Sequence, residues 1–260
     1  MTPIEQFQQE VRDNIGRLGQ DKSLSEASLA WMIKSGTSGS YTYNFNWLGR
    51  PIIQYPQDIQ AMQELVWATR PDLIIETGIA HGGSLILNAS LLAMLDYCDA
   101  QENKTALQPG VSSRRVIGID IDIRAHNRVA IEAHPLSHLI TMVQGSSIAE
   151  ETVAQVRELA KGYRRVLVSL DSNHTHDHVL EELKAYGPLV TPGSYCVVFD
   201  TVVEDMPIEL CEGRPWQPGN SPWTAVQSWL PENPDFEIDR SLHDKLQISV
   251  ARDGYLKRRG

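Results

Sequence analysis

"IIETGIAHGGSLILNASLL", residues 74–92, runs from a β-branched segment through three glycines into a stretch compatible with a helix. Strand, tight turn and helix therefore follow one another. Gly78, Gly82 and Gly83 let the backbone turn sharply and approach a ligand, toward which the first N–H groups of the helix point. A nicotinamide fingerprint would read G-x-G-x-x-G. Here Gly78, Ala80 and Gly83 give G-x-A-x-x-G, and the next strand-terminal carboxylate, Asp120, lies much further along than the expected spacing of about 20 residues. Glu76, at the end of the strand, suits a different cofactor, because a carboxylate there can face the ammonium of S-adenosylmethionine. A purely structural strand-to-helix turn is the competing reading.

The same alternation extends outward. "DLIIE", "RVIGID", "LITMV", "RVLVSL" and "YCVVF" are short apolar runs, separated by segments of helical character at 83–95, 124–133, 148–162 and 177–186. Buried runs alternating with helices predict a parallel sheet covered on both faces. Ahead of it, Ile4, Phe7, Val11, Ile15 and Leu18 fall at helical spacing, and Ser23 with Glu26 reads as a capping box for a second helix that stops near Gly36. The aromatic segment "TSGSYTYNFNWLGRPIIQYPQD" has no clear period and reads as a lid or as packing against the main domain; Pro56 then opens a helix. After Pro222 a helix over 223–230 precedes "FEID" and "LQISVA", expected to pair as a final hairpin. The division expected is residues 1–55 as helices and lid-like loop, and 56–260 as one α/β domain.

Strand ends carry the polar groups. Asp120, followed by Asp122, ends the second strand, where a carboxylate can accept both ribose hydroxyls or cap the following helix. "QGSS" (144–147) places Ser146 and Ser147 at the matching edge, within reach of an adenine, with Ser147 alternatively a helix cap. After the fourth strand, "LVSLDSNHTHDHVLEEL" (167–183) gathers Asp171, His174, His176, Asp177 and His178. Of these, His176, Asp177 and His178 read as the start of the next helix.

Composition narrows the partners. The 260 residues are 42% hydrophobic, enough for one large domain with a proper core. A formal net charge of −10 argues against a nucleic-acid backbone as partner, and the basic end "YLKRRG" reads as a solvated tail. No apolar run approaches the roughly 20 residues of a membrane span, and the N-terminus lacks the order of a signal peptide. Three cysteines make no disulfide framework, so a cytoplasmic setting is expected.

"ETGIAHGGS", "GIDIDIRAHNR", "QGSS", "LDSNHTHDHV" and "WLGRPIIQYPQD" together resemble the cephalosporin hydroxylase family over roughly residues 40–230. Despite that name, the family has the Rossmann-like α/β fold of class I S-adenosylmethionine-dependent methyltransferases: seven strands, the last reversed. Its members include metal-dependent O-methyltransferases of sugars and natural products. The resemblance implies cofactor contacts at Glu76, Gly78, Gly82, Ser84, Asp120, Ser146 and Ser147. It also implies Mg²⁺ at Asp171 and Asp200, a catalytic base at His174, and a homo-oligomer. Where the family has a glutamate before the second carboxylate this chain has Phe199, which leaves Glu204 and Asp205 as nearby substitutes.

These residues suit O-methylation. A histidine can take a hydroxyl proton, and hard oxygen ligands suit Mg²⁺. The rival chemistries lack their motifs. No histidine begins an H-x-D or H-x-E pair for an iron oxygenase, and neither HExxH nor G-x-S-x-G occurs. The expected function is therefore S-adenosylmethionine-dependent O-methylation of a sugar or small natural product. The alternatives are the hydroxylase of the family's name and a non-catalytic binding module on the same fold.

Overall fold

A computed structural model describes residues 1–260. Two helices open the chain, α1 (Pro3–Gln20) and α2 (Lys22–Gly39). Thr2 and Glu5 form a capping box at α1. The box expected from Ser23 and Glu26 is not formed. Asp21 caps α2 by accepting from the Leu24 N–H at 3.0 Å, and Ser23 donates to Asp21 instead. Gly36 does not stop α2; the left-handed residue that ends it is Ser40. The aperiodic aromatic segment contains a hairpin, β1 (Phe45–Trp47) and β2 (Arg50–Ile52). Leu48 and Gly49 both take positive φ at its turn, as a two-residue hairpin loop requires.

The remaining elements are α3 (Pro56–Thr69), β3 (Leu73–Thr77), α4 (Gly83–Glu102), β4 (Arg115–Asp120), α5 (Ala125–Glu132), β5 (Ile140–Gln144), α6 (Glu150–Leu159), β6 (Val166–Leu170), α7 (His176–Tyr186), β7 (Tyr195–Val198), α8 (Pro222–Trp229), β8 (Phe236–Ile238), α9 (Arg240–Leu246) and β9 (Tyr255–Arg258). Seven of the strands form one sheet in the order β5-β4-β3-β6-β7-β9-β8. The first five are parallel; β9 runs antiparallel to both β7 and β8. This is the seven-stranded sheet with a reversed last strand.

Alternation along each strand divides the core between two faces. Ile74, Val116, Leu167 and Val197 meet α3, α4 and Leu242 of α9 on one side. Leu73, Ile75, Ile117 and Val168 meet α6, α7 and α8 on the other. No helix is long and apolar enough to cross a membrane.

The final hairpin differs from expectation. "LQISVA" is not a strand, and the partner of β8 is "YLKR", within the stretch read as a solvated tail. Tyr255 and Leu256 are buried, and burying a leucine side chain is worth roughly 1.5–3 kcal/mol. The flanking cations need not be buried with them. Arg258 reaches Asp235 and the Val190 carbonyl, while Arg259 pairs with Glu237. Ser249 and Val250, from the stretch expected to be a strand, donate instead to the buried carboxylate of Asp58, as does the Tyr255 hydroxyl.

Candidate active site

The carboxyl ends of β3, β4, β6 and β7 converge on one edge of the sheet, where open α/β folds bind ligands. The glycine turn there is held from four directions. Gly78 has φ +88°, and a Cβ on it would lie 2.1 Å from the carbonyl oxygen of Asp171, so no side chain fits. Gly83 meets the β1–β2 hairpin: a Cβ there would lie 2.2 Å from the Pro51 carbonyl. From β4, the Asp120 carboxylate accepts from the Ile79 and Ala80 N–H groups at 2.8 and 3.3 Å, and from Asp122 N–H at 3.0 Å. From the hairpin and α5, Arg50 donates to the His81 carbonyl and to Asn127, which in turn donates to the Ala80 carbonyl. Neither Asp120 nor Asp122 caps α5, whose N-cap is Arg124.

Behind the turn, Glu76 is buried at the end of β3. Ser84 Oγ and Asn88 Nδ2 donate to its two oxygens at 2.5 and 2.7 Å. Burial pushes its carboxyl up to about 7, against the pull of those two hydrogen bonds. Beside it, Gln54 Oε1 and Asn88 Oδ1 are buried acceptors with no donor in the protein. A proton held more tightly by the native than by the unfolded protein makes stability fall as pH rises between the two pKa values. The cofactor-free protein should therefore lose stability from pH 5 to 7.5, and Glu76→Gln should remove about 3 kcal/mol of that loss, the scale of such a shift. Asp58, pushed up to about 6 by burial, keeps its own share in the variant. Denaturant unfolding across that range is the check. An unchanged pH slope would mean that Glu76 is not the group responsible.

The other strand ends contribute two neighbouring hollows that share Gly78 and Ser172 in their walls. A small one of about 140 Å³ is lined by Gly78, Asp120, Ser146, Ser147, Ser172 and His178, among others. Ser147 borders it without capping α6, whose N-cap is Ala149. Its hydroxyl is turned inward to Glu182. A larger cleft of about 440 Å³ shares Gly78 and carries Ser84, Asp171, His174, Asp200, Arg214 and Trp216 on its walls.

In the larger cleft Asp171, His174 and Asp200 bring one ligand atom each within 4.8 Å of one another. Asp171 follows β6, and its N–H is fixed by the Thr77 carbonyl at 3.0 Å. Asp200, just beyond β7, takes a left-handed conformation (φ +56°). His174 Nε2 lies 3.1 Å from Asp200 Oδ2, and its ring meets Trp216 edge to face at 6.0 Å. Removal from water, then the charge of Asp200, pushes the Asp171 carboxyl well above the usual carboxylate range.

Phe199, where the family glutamate would stand, is buried in the core and offers no ligand. The two expected substitutes point elsewhere. Glu204 accepts from Gly219 N–H and Ser221 Oγ, and Asp205 pairs with Arg252 at 3.0 Å. Both carboxylates are thus already committed to other donors. His176 also leaves the cleft, its Nδ1 lying 2.9 Å from Thr224 Oγ1 on α8.

Sequence reasoning did not single out Arg50, Asn127, Asn88 or Trp216. Asn88 had a usable signal, because Ser84 and Asn88 share a helix face at i, i+4. Arg50, Asn127 and Trp216 reach the site through tertiary packing that no local pattern encodes.

The family described as rhamnosyl O-methyltransferase/CmcI matches residues 39–259. The chain belongs to that family. Its motifs had pointed to the same group under the name cephalosporin hydroxylase. Among family relatives, a rhamnosyl O-methyltransferase of Mycobacterium leprae (strain TN) is 27% identical over 226 residues, covering 85% of this chain and 86% of that protein. One from Mycobacterium tuberculosis (strain ATCC 25618 / H37Rv) is 27% identical over 205 residues, covering 77% of this chain and 73% of that protein. The fold is shared with a structure of CmcI described as Mg-SAM, at TM-score 0.54 and 20% identity over 84% of this chain and 78% of that one. It is shared also with an O-methyltransferase from Bacillus cereus in complex with SAH, at TM-score 0.51 and 15% identity over 81% of each chain.

Proposed function

We propose that this chain is an S-adenosylmethionine-dependent O-methyltransferase acting on a hydroxyl of a sugar or small natural product. The observation that carries the reading is the meeting of two hollows at Gly78. One has the polar edge of a nucleoside site; the other holds a histidine and two carboxylates. The residues present fit the cofactor. Asp120 offers a carboxylate at the ribose position beside the small hollow. Glu76 with the donorless Gln54 and Asn88 oxygens forms a set of buried acceptors, which an ammonium group would satisfy.

The chain's own groups then supply the chemistry. With Nε2 against Asp200, His174 has Nδ1 without a protein partner, and that nitrogen can accept the acceptor's hydroxyl proton. Asp200 fixes the imidazole's orientation, as the acid of a catalytic triad does. Trp216 presents an aromatic wall beside the base, against which a sugar's C–H face can lie. Asp171 and Asp200 fit a hard divalent cation, because two close carboxylates of the same sign are relieved by one. A Mg²⁺ ion bound by them would lower the pKa of the acceptor hydroxyl and orient it. A hydroxylase with a 2-His-1-carboxylate iron site is disfavoured by the donor set itself, since His176 is turned to α8 and only His174 faces the carboxylates.

Titration calorimetry with S-adenosylmethionine tests the cofactor assignment. Asp120→Ala removes an acceptor for the ribose and the clasp on the Ile79 and Ala80 N–H groups. Affinity should fall by on the order of 1–3 kcal/mol, the cost of losing hydrogen bonds to a charged group. Wild-type affinity in the variant would remove Asp120 from the site.

A further inference from the structure

Glu182 is fully buried on α7, yet it takes no part in the chemistry above. Its Oε1 accepts from two serine hydroxyls, Ser147 Oγ at 2.5 Å after β5 and Ser172 Oγ at 2.6 Å after β6. His178, one helical turn earlier, directs Nε2 at the same two hydroxyl oxygens, at 3.0 and 3.3 Å, and at Glu182 Oε1 itself, at 3.5 Å. A carboxylate only accepts, so both serine protons are spent on Glu182. The serine oxygens are then left as acceptors, and Nε2 must be the nitrogen that carries hydrogen. In neutral imidazole the other nitrogen, Nδ1, is consequently a lone-pair acceptor. It has no partner in the protein, and His178 lines the small hollow with Asp120, Ser146 and Ser147. The tautomer is thus set by a carboxylate that never touches the hollow.

We propose that His178 Nδ1 reads the base of the cofactor by accepting a hydrogen bond from the exocyclic amino group of adenine, and that Glu182, directly and through Ser147 and Ser172, is the positioning residue that holds His178 in the accepting tautomer. The inference rests on the cofactor assignment made above and adds the element that distinguishes adenine from other bases. An acceptor at this point favours a base with an amino group at C6. A base with a carbonyl there, such as hypoxanthine, sets lone pair against lone pair. The second oxygen of Glu182 has no donor, so the buried carboxylate is retained with one oxygen unsatisfied. Leaving a buried oxygen unpaired costs stability, a cost that a role for the paired oxygen would account for.

The test is the ratio of dissociation constants for S-adenosylhomocysteine and S-inosylhomocysteine, measured by calorimetry, in which hypoxanthine replaces adenine. Wild type should prefer the adenine compound. His178→Ala should reduce that preference roughly tenfold, weakening the adenine compound while leaving the inosine one nearly unchanged. Glu182→Leu removes the acceptor from both serine hydroxyls. The serine hydroxyls can then turn toward His178, and the preference should narrow in that variant also, with the melting temperature checked to show that it is folded. A merely structural role for Glu182 would weaken both compounds alike. Equal weakening of both in His178→Ala, or an unchanged ratio in either variant, overturns the proposal. A wild type that binds neither compound overturns the cofactor assignment and this inference together, whereas binding of both with unaltered ratios in the variants overturns this inference alone.

Discussion

His174→Ala should leave S-adenosylmethionine affinity nearly unchanged and lower turnover by about 10²–10⁴, the usual contribution of a positioned general base. The split follows from placement. His174 stands in the larger cleft against Asp200 and Trp216, while the smaller hollow is bordered by Asp120, Ser146 and His178. Two neighbours serve as controls. His176→Ala should keep the rate, because its ring faces Thr224 on α8. His178→Ala should keep turnover at saturating cofactor while altering cofactor affinity. Should His176→Ala prove inactive and His174→Ala normal, the base has been placed on the wrong histidine.

How far such a placement could be read in the sequence depends on whether the signal was local. The five parallel strands announced themselves as β-branched runs; β3, β6 and β7 are buried along their whole length and the edge strand β5 only in part, and the glycine turn was legible from Gly78, whose position leaves no space for a Cβ. Asp171 and His174 stood out in the polar run after the fourth strand, whereas Asp200 came only with the family resemblance; strand order brings the three together. The chain's end was misread for the opposite reason. "YLKRRG" looked solvated because its charges dominate the composition, whereas the two apolar residues decide its place beside β7. α9, absent from the reading, is a short helix between two strands with little room for periodicity. Ser147 was read by proximity to an expected ligand. Its hydroxyl answers instead to Glu182, 35 residues away, which nothing local could announce. Arg50, acting across 77 residues on Asn127, is the same kind of case.

Chelation with EDTA should abolish turnover and added Mg²⁺ should restore it, with Asp200→Asn impaired by on the order of 10² or more. That is the rate equivalent of losing about 3 kcal/mol of charge stabilisation. The structure sharpens the expectation in two ways. First, Phe199 is buried in the core and Glu204 and Asp205 are held by other partners, so the carboxylates at the cleft are Asp171 and Asp200 alone. An ion held by two protein carboxylates must take its remaining ligands from water, cofactor or acceptor, and its affinity should be modest, with activity saturating only as Mg²⁺ rises into the millimolar range. Second, Asp171 is pushed upward partly by the charge of Asp200. Ion binding requires both groups deprotonated, so less Mg²⁺ should be needed for half-maximal activity as pH rises. Asp200→Asn removes a ligand and the repulsion together. In that variant Asp171 should ionise more readily, yet Mg²⁺ should rescue little, because a single carboxylate remains. Full activity in chelator would show instead that replacing the family glutamate by Phe199 accompanied loss of the ion. His174, oriented by Asp200, would then activate the hydroxyl without it, and Asp200→Asn would act through the imidazole's orientation, lowering turnover equally with and without Mg²⁺.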